Sequence, residues 1–427
     1  MKLTEKTYPY LKNPIYECQL ENGLRVVLIP KKDFHETYAI ITVDFGSVDN
    51  RFTSIGGGIK SYPAGIAHFL EHKLFETEDG GDILQEFAKY GANANAYTSL
   101  NQTSYLFSTT GELRHPLDLL QKMVREAHFT DESVEREKEI ISQEIEMYAD
   151  DPDHRLYLGI LKSLYPNTAL AEDIAGTTTS IHEISAATLR ENFQQFYQPN
   201  AMTLVVMGDI DVSQVFDWID IYQAENQVTQ EELPVAIPVQ KEAVIEHGKE
   251  SWEVALPKLA IGLRGNDSIA KGKEQYYRVC LSFLLAMLIG RTSKRYQTLY
   301  ETNKIDHSLS FHIEVQQGYH FVVVTGDTAE PITVSSQLRK AFLNFERDED
   351  VTQEHFQILK NEMYGEFIRG LNSSEFTVGY FVSHFSETES IFDIPELLTS
   401  LTLEDVLVVG RQFMTQCDVA DFIIFPK

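Results

Sequence analysis

The chain is 427 residues long, 43% hydrophobic, 23% charged and 11% aromatic, which excludes a disordered or low-complexity polymer and leaves room for two domains. Its 36 Lys and Arg against 64 Asp and Glu give a formal charge of −28, which repels phosphate backbones and excludes nucleic acid as a partner. The longest apolar run, residues 279–290, is short of the ~20 residues that cross a bilayer, and Cys18, Cys280 and Cys417 are too few and too scattered for a disulfide framework or a four-cysteine zinc site.

In chain order, the first stretch, MKLTEKTYPYLKNPIYECQL, has no apolar core or small-residue cleavage site, so a cytoplasmic location is expected. Alternating strands follow in LRVVLIP and AIITVDFG. The glycine-rich residues 55–65 lack the Lys-Ser/Thr pair of a phosphate loop and read as a mobile loop entering the next helix. Residues 66–79 contain neither Pro nor Gly and predict that helix, with HFLEH inside it. Residues 93–107, NANAYTSLNQTSYLF, read as strand, and VEREKEIISQEIEMYADDP, beginning at Val134, as a long helix that ends in an acidic run without the twelve-residue pattern of a calcium loop. MTLVVMGDI closes this half as a strand. Residues 223–240 are polar with two prolines, the composition of an exposed linker.

The second half repeats the first at an offset of 217 residues, the distance from Ile184 to Leu401. ISAATLRENFQQFYQPNAMTLVVMG then lies over LTLEDVLVVGRQFMTQCDVADFIIF, matching Phe196 with Phe413 and Val206 with Ile423. VEREKEIISQEIEMY lies over VTQEHFQILKNEMYG, and ITVDFG from Ile41 over AIGLRG from Ala260 with slight slack. Each match is weak alone, but the shared offset points to two tandem homologous repeats of the α+β class, residues 1–228 and 229–427.

HFLEH carries the chemistry. Residues four apart share a helix face, so His68 and His72 can aim a ring nitrogen at one ion, while Glu71 stands beside it free to hold a proton. This is the inverted HxxEH zinc-peptidase arrangement. Catalytic zinc takes a third protein ligand, for which Glu137 and Glu144 are candidates, seven residues and two turns apart on one face of the next helix. Alone, that pair would read as a solvated face. His115, His128, His154 and His182 lack ligand spacing and read as surface or capping residues.

HFLEH, Glu137 and Glu144 at their distance, and NANAYTS together make the chain resemble the insulinase/pitrilysin family over most of its length. The resemblance implies zinc on His68, His72 and Glu144, Glu71 as general base, and Glu137 as a carboxylate that steadies a ligand. It implies that the strand with Asn95, Ala96 and Tyr97 pairs with an extended peptide. It further implies two repeats of mixed or antiparallel sheet with helices packed on one face, making half of a clamshell chamber. The activity implied is a zinc-dependent endopeptidase acting on short or unfolded peptides. The alternatives are a non-catalytic scaffold subunit of a heterodimer, or an enzyme dedicated to maturing one peptide.

At the repeat offset His68, Glu71, His72 and Glu144 become Leu285, Leu288, Ile289 and Asn361, so one zinc per chain is expected. Relatives carry an arginine and a tyrosine, seven apart, that meet the substrate, and in LYETNKIDHS those places fall to Tyr300 and His307. A dimer is expected, either of identical chains or with a zinc-less sister that supplies the Arg/Tyr pair.

Overall fold

The computed structural model describes residues 3–54, 56–226, 232–384 and 389–427. The expected boundary at 228/229, and Ile55 at the head of the glycine-rich loop, lie outside the described residues. The chain divides into two compact units. One comprises Met1–Glu146, Asp173–Ile237 and Leu371–Ser383, the other Met147–Glu172, Pro238–Gly370 and His384–Lys427.

The first unit is built on a seven-stranded sheet in the order Thr4–Lys6, Ile15–Gln19, Arg25–Pro30, Met202–Gly208, Thr37–Val43, Thr103–Thr109, Ala92–Thr98. Only Arg25–Pro30 and Met202–Gly208 run parallel; every other neighbouring pair is antiparallel. The second unit has a five-stranded sheet in the order His247–Trp252, Asp418–Pro426, Lys258–Arg264, Tyr319–Asp327, Ser310–Gln316. Again one pair, His247–Trp252 with Asp418–Pro426, is parallel and the rest antiparallel. The last five strands of the first sheet thus have the order and directions of the second, which is the repeat seen in three dimensions. The helix caps repeat as well. Ser185 accepts from the Thr188 N–H at the start of Ala186–Phe196, and Thr402 accepts from the Asp405 N–H at the start of Leu403–Met414.

The core strands are apolar on both faces rather than alternating. In the first unit Val26, Leu28, Ala39, Ile41, Leu204 and Val206 join the main core with Leu117 and Leu120 of the helix Arg114–Met123. On the opposite face Val27, Ile29, Ile40, Val205 and Met207 are buried too. The helix Ser374–Ser383 packs on Thr37–Val43 and Met202–Gly208 within this unit, and its Val378 and Phe381 are buried. The second unit mirrors this. Its own helix Pro331–Leu343 places Val334 and Leu338 beside Leu259 and Ile261, while Pro152–Leu164 sets Ile160 and Leu164 against Gly262 on the other side of that strand. Each sheet therefore carries the helices of its own repeat and one helix from the other half of the sequence. Runs such as RVVLIP have no polar side because neither face meets water.

Several local expectations are refined. The helix with HFLEH is Ile66–Lys73 and stops short of residue 79, because the Phe75 N–H turns back to the His72 carbonyl and a bridge between Glu76 and Asp82 redirects the chain. Part of the glycine-rich segment is a strand, Ile59–Ser61, paired with Arg51–Thr53. Within the acidic run only Asp150 and Asp151 lie between two helices, Asp131–Ala149 and Pro152–Leu164, and Asp151 caps the second by accepting from the Asp153 and His154 N–H groups. Among the described residues no helix is long and apolar enough to cross a membrane.

Replacing Phe381 by alanine deletes a ring buried in the first unit from a position far along the sequence. A cost of about 3–5 kcal/mol is expected. Hydrogen exchange should report it as lost protection in Thr37–Val43 and Met202–Gly208, strands encoded more than a hundred residues earlier.

Candidate metal centre

The centre is made by two helices of the first unit. Ile66–Lys73 buries Ile66, Ala67, Phe69 and Leu70 in the core, which leaves His68 and His72 together on the remaining face, ring centroids 4.6 Å apart. Asp131–Ala149 buries Val134 and Ile141 and turns Glu137 and Glu144 toward those rings.

His68 Nε2 lies 3.7 Å from Glu144 Oε1, and His72 Nε2 lies 3.4 Å from Glu144 Oε2. His68, His72 and Glu144 present one ligand atom each within 4.8 Å of one another, the one such group of three among the described residues. Glu137 Oε1 is 3.0 Å from His72 Nδ1. A proton on Nδ1 shared with Glu137 leaves the Nε2 lone pair facing Glu144, the tautomer a metal ligand needs. Glu71 is outside the cluster; its Oε2 accepts a 2.6 Å hydrogen bond from the Thr98 hydroxyl.

The electrostatics follow from burial and these partners. His68 is held down to about 4, by burial first and then by the neighbouring His72. For His72 burial also disfavours the charged ring, but the hydrogen bonds to Glu137 and Glu144 outweigh it and push the ring up to about 9. Burial raises Glu71 above the usual carboxylate range, partly offset by the Thr98 hydrogen bond.

Two further contacts fix the histidine helix. Its N-terminus begins at Gly65, with φ of 89°, where an added Cβ would fall 2.4 Å from the Ala175 carbonyl; reciprocally, a Cβ on Gly176, φ 79°, would fall 2.4 Å from the Ala64 carbonyl. The two backbones thus touch at a pair of glycines, and the Ser180 hydroxyl donates to the Ala64 carbonyl at 2.9 Å beside them. At the other end the Lys73 ammonium is wholly buried, paired with Glu76 and donating to the Ser133 hydroxyl at 2.9 Å. Ser133 belongs to the helix of Glu137 and Glu144, so Lys73 ties together the two helices that form the cluster.

Asn95, Ala96 and Tyr97 lie on Ala92–Thr98, the last strand of the sheet, which among the described residues pairs with Thr103–Thr109 on one side only. The Ala96 N–H donates to Asn95 Oδ1 at 2.9 Å. In the second unit the Tyr300 hydroxyl meets His307 Nε2 at 3.0 Å, and both side chains are exposed. Leu285, Leu288 and Ile289 are buried core residues there. Sequence reasoning missed Thr98 and Lys73. Thr98 stood in the quoted NANAYTS segment, but nothing in one dimension says that its hydroxyl reaches a carboxylate on another element.

The family model for insulinase (peptidase family M16) matches residues 26–178, and that for the peptidase M16 inactive domain matches residues 183–363. A protein of Bacillus subtilis (strain 168) described as "uncharacterized zinc protease YmfH" is 38% identical over 424 residues, covering 98% of this chain and 98% of its own length. The chain belongs to the insulinase family of zinc metallopeptidases. A crystal structure of a putative M16-like peptidase from Alicyclobacillus acidocaldarius is 28% identical, with a TM-score of 0.90, and the match covers 100% of this chain and 99% of that one. The first half of the periplasmic protease PqqL from Escherichia coli shares the fold, with a TM-score of 0.74 at 17% identity over 96% of this chain and 92% of that half.

The donor set of this insulinase-family chain suits zinc. Bonds of about 2.0–2.1 Å at tetrahedral angles separate ligand atoms by about 3.4 Å, close to the two spacings at Glu144. A dication there would satisfy the carboxylates that otherwise favour a proton on His72. His72→Ala and Glu144→Ala are each expected to purify without stoichiometric zinc. Glu137→Gln should keep zinc but release it to a competing chelator at about 10- to 100-fold lower chelator concentration. Mass-spectrometric metal content and a chelator titration check all three.

Proposed function

We propose that this chain is a zinc-dependent endopeptidase for short or unfolded peptides, with one zinc per chain on His68, His72 and Glu144 and Glu71 as general base. The observation that carries this reading is the convergence of two imidazoles and one carboxylate, with Glu137 on the far side of one imidazole and Glu71 held beside the cluster by Thr98. Zinc bound there lowers the pKa of a water to roughly 7 and polarises the scissile carbonyl.

The protein supplies the remaining steps. Glu71 takes the water proton and gives it to the leaving amine, a task suited to a buried carboxylate whose proton affinity is raised. Glu137 holds the His72 ring in its tautomer throughout. Asn95, Ala96 and Tyr97, on a strand with one side unpaired, bind an extended peptide through main-chain hydrogen bonds, which favours chains without fixed structure and asks little of their sequence. A scaffold subunit would have no use for a base beside a complete ligand set.

The working unit is a dimer around an enclosed chamber, which admits short or unfolded chains and excludes folded proteins. The likeness to one half of a longer protease supports this, since the fold of this chain fills only that half. Whether the partner is a second copy or a zinc-less sister turns on Tyr300 and His307, which stand where relatives carry the arginine and tyrosine that meet substrate. The expected compartment is the cytoplasm.

The test is metal content together with digestion of a mixed-peptide pool, both repeated on Glu71→Gln. The variant is expected to retain about one zinc per chain and to lose at least about a hundredfold in turnover. Hydrolysis at the wild-type rate by Glu71→Gln would remove Glu71 as the base. A wild-type chain that takes up no zinc even when it is supplied would return the scaffold reading.

A further inference from the structure

The Thr98 hydroxyl donates to Glu71 Oε2 at 2.6 Å. Both partners are held from behind. Thr98 is the last residue of the edge strand, opposite Thr103, whose own hydroxyl is buried and donates to the Phe45 carbonyl at 2.9 Å. The turn that follows is closed by the Ser99 N–H to the Gln102 carbonyl at 2.8 Å. It is pinned to the neighbouring segment by the Ser47 N–H to the Ser99 carbonyl at 3.0 Å and the Val48 N–H to the Leu100 carbonyl at 2.9 Å. Glu71 rides on a helix fixed by Gly65 at one end and Lys73 at the other.

We infer that Thr98 is a positioning residue for Glu71: its hydroxyl fixes one carboxylate oxygen, so that the other is presented to the metal-bound water and then to the leaving amine. This rests on the peptidase reading above and deepens it. A carboxylate at the end of a glutamate side chain has a broad terminal torsion, so one strong, fixed donor does much to select a single orientation. A base misplaced by a fraction of an ångström loses rate without losing substrate affinity. The same bond joins the base to the strand proposed to bind peptide. The residue that orients the base is therefore the next after Tyr97, so peptide backbone and base are referred to one rigid frame.

The test compares Thr98→Val, which keeps the shape and removes the hydroxyl, with Thr98→Ser, which restores it. Zinc content should equal wild type in both. With a fluorescence-quenched peptide chosen from those the wild-type chain cuts, Thr98→Val is expected to lower kcat by about 10- to 100-fold with KM changed less than about twofold, and Thr98→Ser to recover most of that loss. A crystal structure of zinc-loaded Thr98→Val should find the Glu71 carboxylate turned from its wild-type orientation, a readout that needs no activity. If Thr98→Val turns over like wild type, or keeps the Glu71 orientation, the role of Thr98 falls and the peptidase reading stands. If the wild-type chain binds no zinc and cuts no peptide, the proposed function falls and takes this inference with it.

Discussion

Both imidazoles of the His68–His72–Glu144 cluster sit on a helix of eight residues, Ile66–Lys73, too short to keep its shape through its own hydrogen bonds. Its position is therefore imposed from outside. Phe69 and Leu70 anchor one face in the core, the touching backbones at Gly65 and Gly176 fix where the first turn begins, and the buried Lys73 fixes where the last turn ends. Lys73 also sets the register against the long helix, since its hydroxyl partner Ser133 lies one turn before Glu137 and three turns before Glu144. A fully buried ammonium is costly unless paired, and its place one residue after His72 shows what that cost secures. The side chains of His68, His72 and Glu144, from two helices, meet within a few ångströms because the helices cannot slide.

How much of this was legible in the sequence depends on how far apart the interacting residues are. His68, Glu71 and His72, and Glu137 with Glu144, are linked by helical periodicity, a one-dimensional rule; the structure brings His68, His72, Glu137 and Glu144 together and hydrogen-bonds Glu71 to Thr98. The two repeats were legible for the same reason, since a constant offset is visible without coordinates. Thr98, Lys73 with Ser133, and Gly65 with Gly176 were not, because each contact joins elements whose approach is decided by packing. The end of the histidine helix was overrun for a related reason. No Pro or Gly marks Lys73, and the stop comes from a bridge between Glu76 and Asp82 that propensity does not encode.

The second repeat shows what the same framework does when released from chemistry. Leu285, Leu288 and Ile289 lie in a sixteen-residue helix, Glu274–Ile289, that is buried almost throughout. Where the first repeat keeps a short helix with a polar face held by outside contacts, the second has a longer helix held by the hydrophobic effect. A buried histidine lies in that unit as well: His320 Nε2 is 2.8 Å from Asp267 Oδ1, and the Tyr277 hydroxyl donates to Asp267 Oδ2 at 2.7 Å.

The reciprocal helices also set a timetable for the nascent chain. When the ribosome has made the last strand of the first sheet, Met202–Gly208, one face of that sheet can close over its own helices, but the helix for the other face does not exist until Ser374–Ser383 emerges. At synthesis rates of about 5–20 residues per second, Ile40, Val205 and Met207 stay uncovered for on the order of ten seconds or more. An open apolar sheet face over that interval invites association with other chains. This architecture thus calls for holding by chaperones during translation, and it ties completion of the first unit to synthesis of a helix encoded far downstream of its last strand.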